Sequence, residues 1–164
     1  MTSLDGLNPD FRDMVAMLCD EGAEFLVVGA YAVSFHGHAR TTGDMDLLVR
    51  PTAANAARVW RALVRFGAPV AATGLVEADL AKPDTIYQIG VPPRRIDILT
   101  GISGVAFDKA WQSRVEVDWS GRQVAFIGFD DLVANKKAAR RAKDLLDVAE
   151  LEKVRQRKKG KKGT

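Results

Sequence analysis

The stretch Asp44-Met45-Asp46-Leu47-Leu48-Val49 carries two aspartates two residues apart in an otherwise apolar run. Side chains two apart in a β-strand point to the same face, so the stretch predicts a strand with both carboxylates on one face. Adjacent carboxylates repel each other and raise each other's pKa unless a cation lies between them. Mg2+ held by carboxylates and substrate phosphates is a common arrangement. The alternative is a strand at a sheet edge whose polar face meets solvent.

A glycine corner precedes these aspartates, in the stretch Phe25-Leu26-Val27-Val28-Gly29-Ala30-Tyr31-Ala32-Val33. It predicts a buried strand, a tight turn at Gly29 and a short helix. The first N–H groups of a helix lack partners within it and can bind an anion. Gly29 could also be no more than a turn residue, since a single glycine is a weak signal.

A third carboxylate lies in the later apolar stretch Arg95-Ile96-Asp97-Ile98-Leu99. Asp97 faces away from Ile96 and Ile98 in a strand, so it is a candidate to join the first two aspartates. The alternative is an ion pair between Asp97 and Arg94 or Arg95 on a solvated face. With the glycine corner, the three aspartates indicate a site for metal and phosphate.

These motifs resemble the DNA polymerase β nucleotidyltransferase superfamily, in which a glycine corner precedes an Asp-x-Asp strand. The run Arg40-Thr41-Thr42-Gly43-Asp44-Met45-Asp46-Leu47 is similar to small bacterial nucleotidyltransferases related to AbiE-type abortive-infection toxins. The run from Asn135 to Asp147 looks like their closing motif. One position departs from the pattern, because Ala30 stands where the family has glycine or serine.

The resemblance implies a Mg2+-dependent nucleotidyltransferase that uses two metal ions and an NTP such as ATP as donor. It implies that Asp44 and Asp46 bind both metals and that Asp97 binds the catalytic metal and helps to deprotonate the attacking hydroxyl. The residues expected to contact the nucleotide are Gly29, Ala30, Arg40, Thr42 and Lys136. For Arg40 the alternative is a scaffold ion pair, and for Lys136 it is a solvated basic helix face.

The sequence leaves the acceptor open among a protein, an RNA and a small molecule. The toxin resemblance adds an antitoxin-like protein as a further expected partner. A different class of function is a catalytically degenerate relative that binds RNA or a partner protein. Metal-dependent NTP binding separates the two classes, because a degenerate site would lose it.

Composition and charge place the chain among ordinary proteins, with 47% hydrophobic and 27% charged residues in 164. We expect one domain over residues 1–154. The net charge of +3 is uneven, because residues 155–164 hold six Lys or Arg and no acid, whereas the rest carries 18 bases and 21 acids. That tail predicts a basic, disordered segment. The single Cys19, the N-terminal pattern and the lack of a long apolar run predict a cytoplasmic protein without a membrane partner.

Hydrophobic periodicity and turn residues predict an α/β (α+β) fold with a mixed sheet, flanking helices and a helical C-terminal end. Strands are predicted at about 24–28, 44–49, 84–90, 94–99, 114–118 and 123–127. Helices are predicted from Pro9 to Gly22, at about 30–37, after Thr52 to Phe66, near Leu132, and at about 143–154, with a helical turn in 74–82. Asn8 and Thr52 are predicted N-caps, and Asp130 or Asp131 is a third.

Overall fold

The computed structural model describes residues 6–39 and 43–162 and contains a six-stranded mixed sheet. The strands stand in the order β3-β4-β2-β1-β6-β5. The pairs β1/β6 and β2/β4 are parallel, and the other three neighbouring pairs are antiparallel. The bounds are β1 Phe25–Val28, β2 Met45–Val49, β3 Ile86–Ile89, β4 Ile96–Leu99, β5 Val115–Trp119 and β6 Arg122–Phe126.

Seven α-helices and one 3-10 helix surround this sheet in the described part of the chain. Their bounds are α1 Pro9–Asp20, α2 Gly29–Phe35, α3 Ala53–Phe66, α4 Val70–Thr73, α5 Phe107–Gln112, α6 Phe129–Ala139 and α7 Ala142–Lys162, with the 3-10 helix at Glu77–Ala81. The predicted fold class is therefore confirmed: the chain forms a mixed sheet with helices on both faces and a helical C-terminal end.

The central strands separate two hydrophobic clusters. Met45, Leu47 and Val49 of β2 point into the cluster formed with α1 and α3, whereas Leu48 points into the cluster formed with α2, α6 and α7. Asp46 alternates with Met45 and Leu47, so it lies on the same face as Leu48. The polar residues of β2 are consequently directed toward α2 and the C-terminal helices.

Two of the three predicted helix caps are confirmed. The Asn8 side chain accepts a hydrogen bond from the Phe11 N–H at 3.0 Å, and the Thr52 hydroxyl accepts one from the Asn55 N–H at 3.3 Å. The third is wrong, because α6 begins after Gly128 and has no side-chain cap. Asp131 instead accepts a hydrogen bond from Lys109 at 2.6 Å.

The last helix continues to Lys162, which differs from the prediction of a disordered segment after residue 154. Val154 is buried, and Arg155 donates to Asp130 at 2.7 Å while its guanidinium lies 4.4 Å from the centre of the Phe129 ring. These contacts anchor the start of the segment to α6. Lys, Arg and Gln are good helix formers, so the helix propagates beyond the anchor once its first turns are fixed.

Within residues 6–39 and 43–162, none of the helices is both long enough and apolar enough to cross a membrane.

Candidate functional site

The sheet brings the three aspartates of the sequence prediction together. Strands β2 and β4 are parallel neighbours whose register pairs Asp46 with Asp97. Residues paired in this way lie on the same face of the sheet, and Asp44, two residues before Asp46, belongs to that face too. The predicted placement of Asp97 beside the Asp44/Asp46 pair is therefore observed. Its catalytic role stays a prediction.

The surroundings of Asp46 disfavour its charged form. Burial raises the pKa of Asp46 to about 6, and the neighbouring Asp97 and Asp44 carboxylates add to the shift while Lys136 opposes it. The side chain of Asp97 therefore favours the protonated form of Asp46 when no cation is present. The site thus binds a proton or a cation more readily than isolated aspartates do.

Arg95 links the other two aspartates. Its Nε donates to Asp97 Oδ1 at 2.8 Å, and its Nη2 lies 3.3 Å from Asp97 Oδ2 and 3.0 Å from Asp44 Oδ2. The ion pair between Asp97 and Arg95, which was the alternative interpretation of the sequence, is therefore present. It extends to Asp44, and it lies inside the cluster of carboxylates instead of on a separate solvated face.

The donor set fits a hard divalent cation in composition. All the groups are carboxylates, and Asp44 Oδ1 is buried without a hydrogen-bond partner among the described residues. Oxygen donors and an unpaired buried oxygen are what Mg2+ requires. The described residues nevertheless contain no group of three His, Cys, Asp or Glu side chains already arranged around a metal position. The Arg95 guanidinium takes up part of the space between the acids.

The glycine corner is in contact with this cluster. Gly29 begins α2 with φ +66, and a Cβ built on it would overlap the Asp46 carboxylate, 3.0 Å from its carboxyl carbon. Glycine is thus required twice, for the left-handed backbone and for the close approach of Asp46. Ala30 follows in the first turn of α2, which has no side-chain cap. The predicted phosphate contacts of Gly29 and Ala30 stay predictions.

Arg40 and Thr42, the other predicted nucleotide ligands in this region, lie outside the described residues.

Lys136 is not on a solvated helix face. Its side chain is 5% exposed, and its Nζ lies 3.2 Å from Asp144 Oδ1 and 3.1 Å from Asp147 Oδ2. Arg141 also bonds Asp144, with Nε 2.7 Å from Oδ2. Lys136, Asp144 and Asp147 form a buried charge cluster between α6 and α7, and the exposed Arg141 contacts it from the solvent side. The predicted contact between Lys136 and a nucleotide stays a prediction.

This buried charge cluster belongs to the same region as the aspartates, because Lys136 lowers the pKa of Asp46 through its charge. Neither Asp144 nor Asp147 was assigned an individual role from the sequence. Asp144 and Asp147 are three residues apart and therefore lie on one face of the helix, the face that also carries the buried Leu151. This spacing was the signal in the sequence that both aspartates could be buried. The structure adds the charges of Lys136 and Arg141 to the surroundings of Asp46, and both cations are paired with Asp144.

Solved structures provide the comparison for this arrangement. The chain is similar to the crystal structure of a "putative nucleotidyltransferase" from Thermotoga maritima, with 12% identity, a TM-score of 0.50 and coverage of 96% of this chain and 96% of that one. The chain has a nucleotidyltransferase fold. No family model and no curated protein sequence matches it. At this identity the likeness concerns the fold alone, and the kinship with AbiE-type toxins stays a resemblance in sequence motifs.

Proposed function

We propose that the protein is a Mg2+-dependent nucleotidyltransferase that moves an NMP from an NTP to an acceptor hydroxyl or phosphate. The observation that carries the proposal is the pairing of Asp46 with Asp97 across β2 and β4, with Asp44 on the same face and Gly29 against Asp46. Carboxylates on two adjacent strands beside a glycine corner supply both metal ligands and room for phosphates.

In the proposed reaction Asp44 and Asp46 would hold two Mg2+ ions, and Asp97 would face the acceptor. The acceptor oxygen bonds to the α-phosphorus, the bond from that phosphorus to pyrophosphate breaks, and the acceptor proton passes to Asp97. Bound Mg2+ would neutralise the phosphate charge and stabilise the leaving pyrophosphate. The chain itself contributes mainly position and electrostatics, as in other phosphoryl transfers.

We assign the remaining contacts to the nucleotide by position. The Gly29–Ala30 corner would receive the β- and γ-phosphates, with Arg40 and Thr42 as further ligands before the aspartates. Lys136 would act on the triphosphate from the adjacent buried charge cluster. The acceptor in this proposal is a protein, an RNA or a small molecule, and an antitoxin-like protein is a separate proposed partner.

The second candidate, a catalytically degenerate binding protein, has one observation in its favour. Arg95 already neutralises part of the charge of Asp44 and Asp97, as a residue replacing a lost metal would. Metal-dependent NTP binding separates this candidate from the enzyme. A degenerate protein would bind NTP equally well in EDTA and in Mg2+, or would not bind it at all.

The proposal is tested by incubating the protein with each NTP labelled with 32P at the α-phosphate, with Mg2+ and with protein and RNA acceptors. Transfer of label, lost in EDTA and in Asp44→Asn, is the expected result. Asp13→Asn is the matched control, because Asp13 is an exposed aspartate on α1. Label transfer that survives in Asp44→Asn would contradict the assignment of the site.

A further inference from the structure

Arg95 occupies the lone pairs that a metal would need. Both carboxylate oxygens of Asp97 and one of Asp44 are within 3.3 Å of its guanidinium nitrogens. Of the two Asp44 oxygens, Oδ1 has no hydrogen-bond partner among the described residues. The guanidinium also brings a positive charge to the centre of the cluster, which repels a divalent cation at this short range.

The Arg95 side chain can leave without disturbing the sheet. Its backbone is fixed, because the Arg95 carbonyl accepts a hydrogen bond from the Met45 N–H at 3.0 Å, where β2 and β4 begin. Its side chain is 27% exposed, so rotation about side-chain bonds takes the guanidinium into solvent. Arginine stays charged at every pH at which the protein is folded, so it can be displaced but not neutralised.

We propose that Arg95 is a built-in competitor for the divalent cation, which must displace its guanidinium from Asp44 and Asp97 to enter the site. The inference rests on the proposed function and adds to it the residue that sets metal affinity. Arg95 is a positioning residue in this role: it holds the two carboxylates together when no metal is bound, and it lowers the affinity of the site for metal.

Mn2+ binding to the full chain tests the inference without any measurement of activity. Free Mn2+ is followed by electron paramagnetic resonance during titration of the wild type, Arg95→Gln and Arg94→Gln. Arg94 is an exposed neighbour, so its variant loses the same charge without breaking the ion pairs. We expect Arg95→Gln to bind Mn2+ about 3- to 10-fold more tightly, because the metal no longer has to break partly exposed ion pairs, which are individually weak.

We expect Arg94→Gln to change the affinity by less than about twofold in 0.15 M salt, where exposed charges are screened. Unchanged or weaker binding by Arg95→Gln, or equal tightening in Arg94→Gln, would overturn the inference and leave the proposed function standing. Absence of Mn2+ binding in all three proteins would overturn both. Asp46→Asn, which removes a ligand, must abolish binding in the wild-type and Arg95→Gln backgrounds.

Arg95→Lys provides the second variant, should the glutamine variant not fold by circular dichroism. Lysine keeps the charge but loses the two-pronged contact with Asp97. We expect Arg95→Lys to bind Mn2+ more tightly than the wild type, because its single ammonium is easier to displace from Asp97 than the guanidinium. If Arg95→Lys bound Mn2+ no more tightly than the wild type, the inference that Arg95 competes with the cation would be wrong.

Discussion

Gly29 and Asp46 lie in direct contact, although 16 residues separate them in the sequence. The absent Cβ of Gly29 leaves the space that the Asp46 carboxylate fills, and a Cβ there would be 3.0 Å from the carboxyl carbon of Asp46. The turn between β1 and α2 and the carboxylate of β2 are therefore one structural unit. A change at either residue is expected to move the other.

Gly29→Ala should displace the Asp46 carboxylate and lower metal affinity. Gly22→Ala is a matched control, because Gly22 has a similar φ of +72 but nothing within 4 Å of a built Cβ. Both variants should lose about 1 kcal/mol of unfolding free energy from the left-handed backbone. Only Gly29→Ala should weaken Mn2+ binding, by about tenfold or more if an oxygen ligand is lost. Equal Mn2+ affinity in the two variants would show that the contact is irrelevant to the site.

Asp46→Asn should abolish nucleotidyl transfer without lowering the thermal stability of the metal-free protein. The substitution removes a carboxylate whose charge is opposed by burial, Asp97 and Asp44. An asparagine amide can also donate a hydrogen bond to the neighbouring Asp97 carboxylate. Label transfer and thermal unfolding in EDTA check the two parts. A lower melting temperature than that of the wild type at pH 8 would contradict the electrostatic account.

Lys136→Met should destabilise the fold strongly. It leaves Asp147 and Asp144, which are 3% and 0% exposed, without their shared ammonium. Removing one partner of a buried ion pair costs about 3 kcal/mol or more. Urea unfolding measures the loss, with Lys137→Met as the control because Lys137 is exposed on the same helix. A loss below about 1 kcal/mol would mean that the charge cluster does not hold α6 to α7.

His36 should make stability depend on pH. Burial lowers the pKa of His36 below its usual 6.5, and the positive charge of Lys158 lowers it further. The hydrogen bond between His36 Nε2 and the Ile127 carbonyl, at 2.7 Å, raises the pKa but does not outweigh burial. The unfolded chain therefore binds a proton at a higher pH than the folded protein does. The contribution of His36 to stability is present above pH 6.5 and is lost as the pH falls below it.

Urea unfolding of the wild type and His36→Phe at pH 8 and pH 5 tests this sign. The difference in unfolding free energy between the two proteins should favour the wild type more at pH 8 than at pH 5. Phenylalanine keeps the edge contacts with the Phe35 and Phe129 rings but leaves the Ile127 carbonyl without its donor. His38→Gln provides the control for the loss of a histidine two residues away. If the difference in unfolding free energy between the wild type and His36→Phe were the same at both pH values, His36 would not be the source of the pH dependence.

Truncation after Arg155 should leave the fold and Mn2+ affinity unchanged but weaken binding to RNA. The structure keeps Val154 and Arg155 in contact with the body, whereas residues 156–161 are exposed. Basic residues gain affinity for RNA by releasing counterions, so the slope of log affinity against log salt should become less steep. Truncation after Val154 serves as the comparison, and it should also lower the melting temperature. Loss of NTP binding on truncation after Arg155 would make the helix end part of the site.

Local patterns in the sequence determined the elements that a few neighbouring residues can specify. The caps at Asn8 and Thr52 and the shared face of Asp44 and Asp46 follow from hydrogen bonds and alternation within short stretches. The buried strands and the mixed α/β fold follow from the same periodicity of apolar residues. The cap predicted at Asp130 or Asp131 was wrong. Aspartate is a common N-cap residue, but α6 begins earlier, and Gly128 occupies the N-cap position.

Only the tertiary structure decided which charged groups meet. The parallel register of β2 and β4 places Asp97 against Asp46, and this register carries Arg95 onto Asp44. The packing of α7 on α6 buries Lys136 with two aspartates, an ion-pair partnership that the sequence did not predict. The reason is physical: alternation and capping act within a strand or helix, whereas ion pairs among buried charges depend on how distant elements pack against each other.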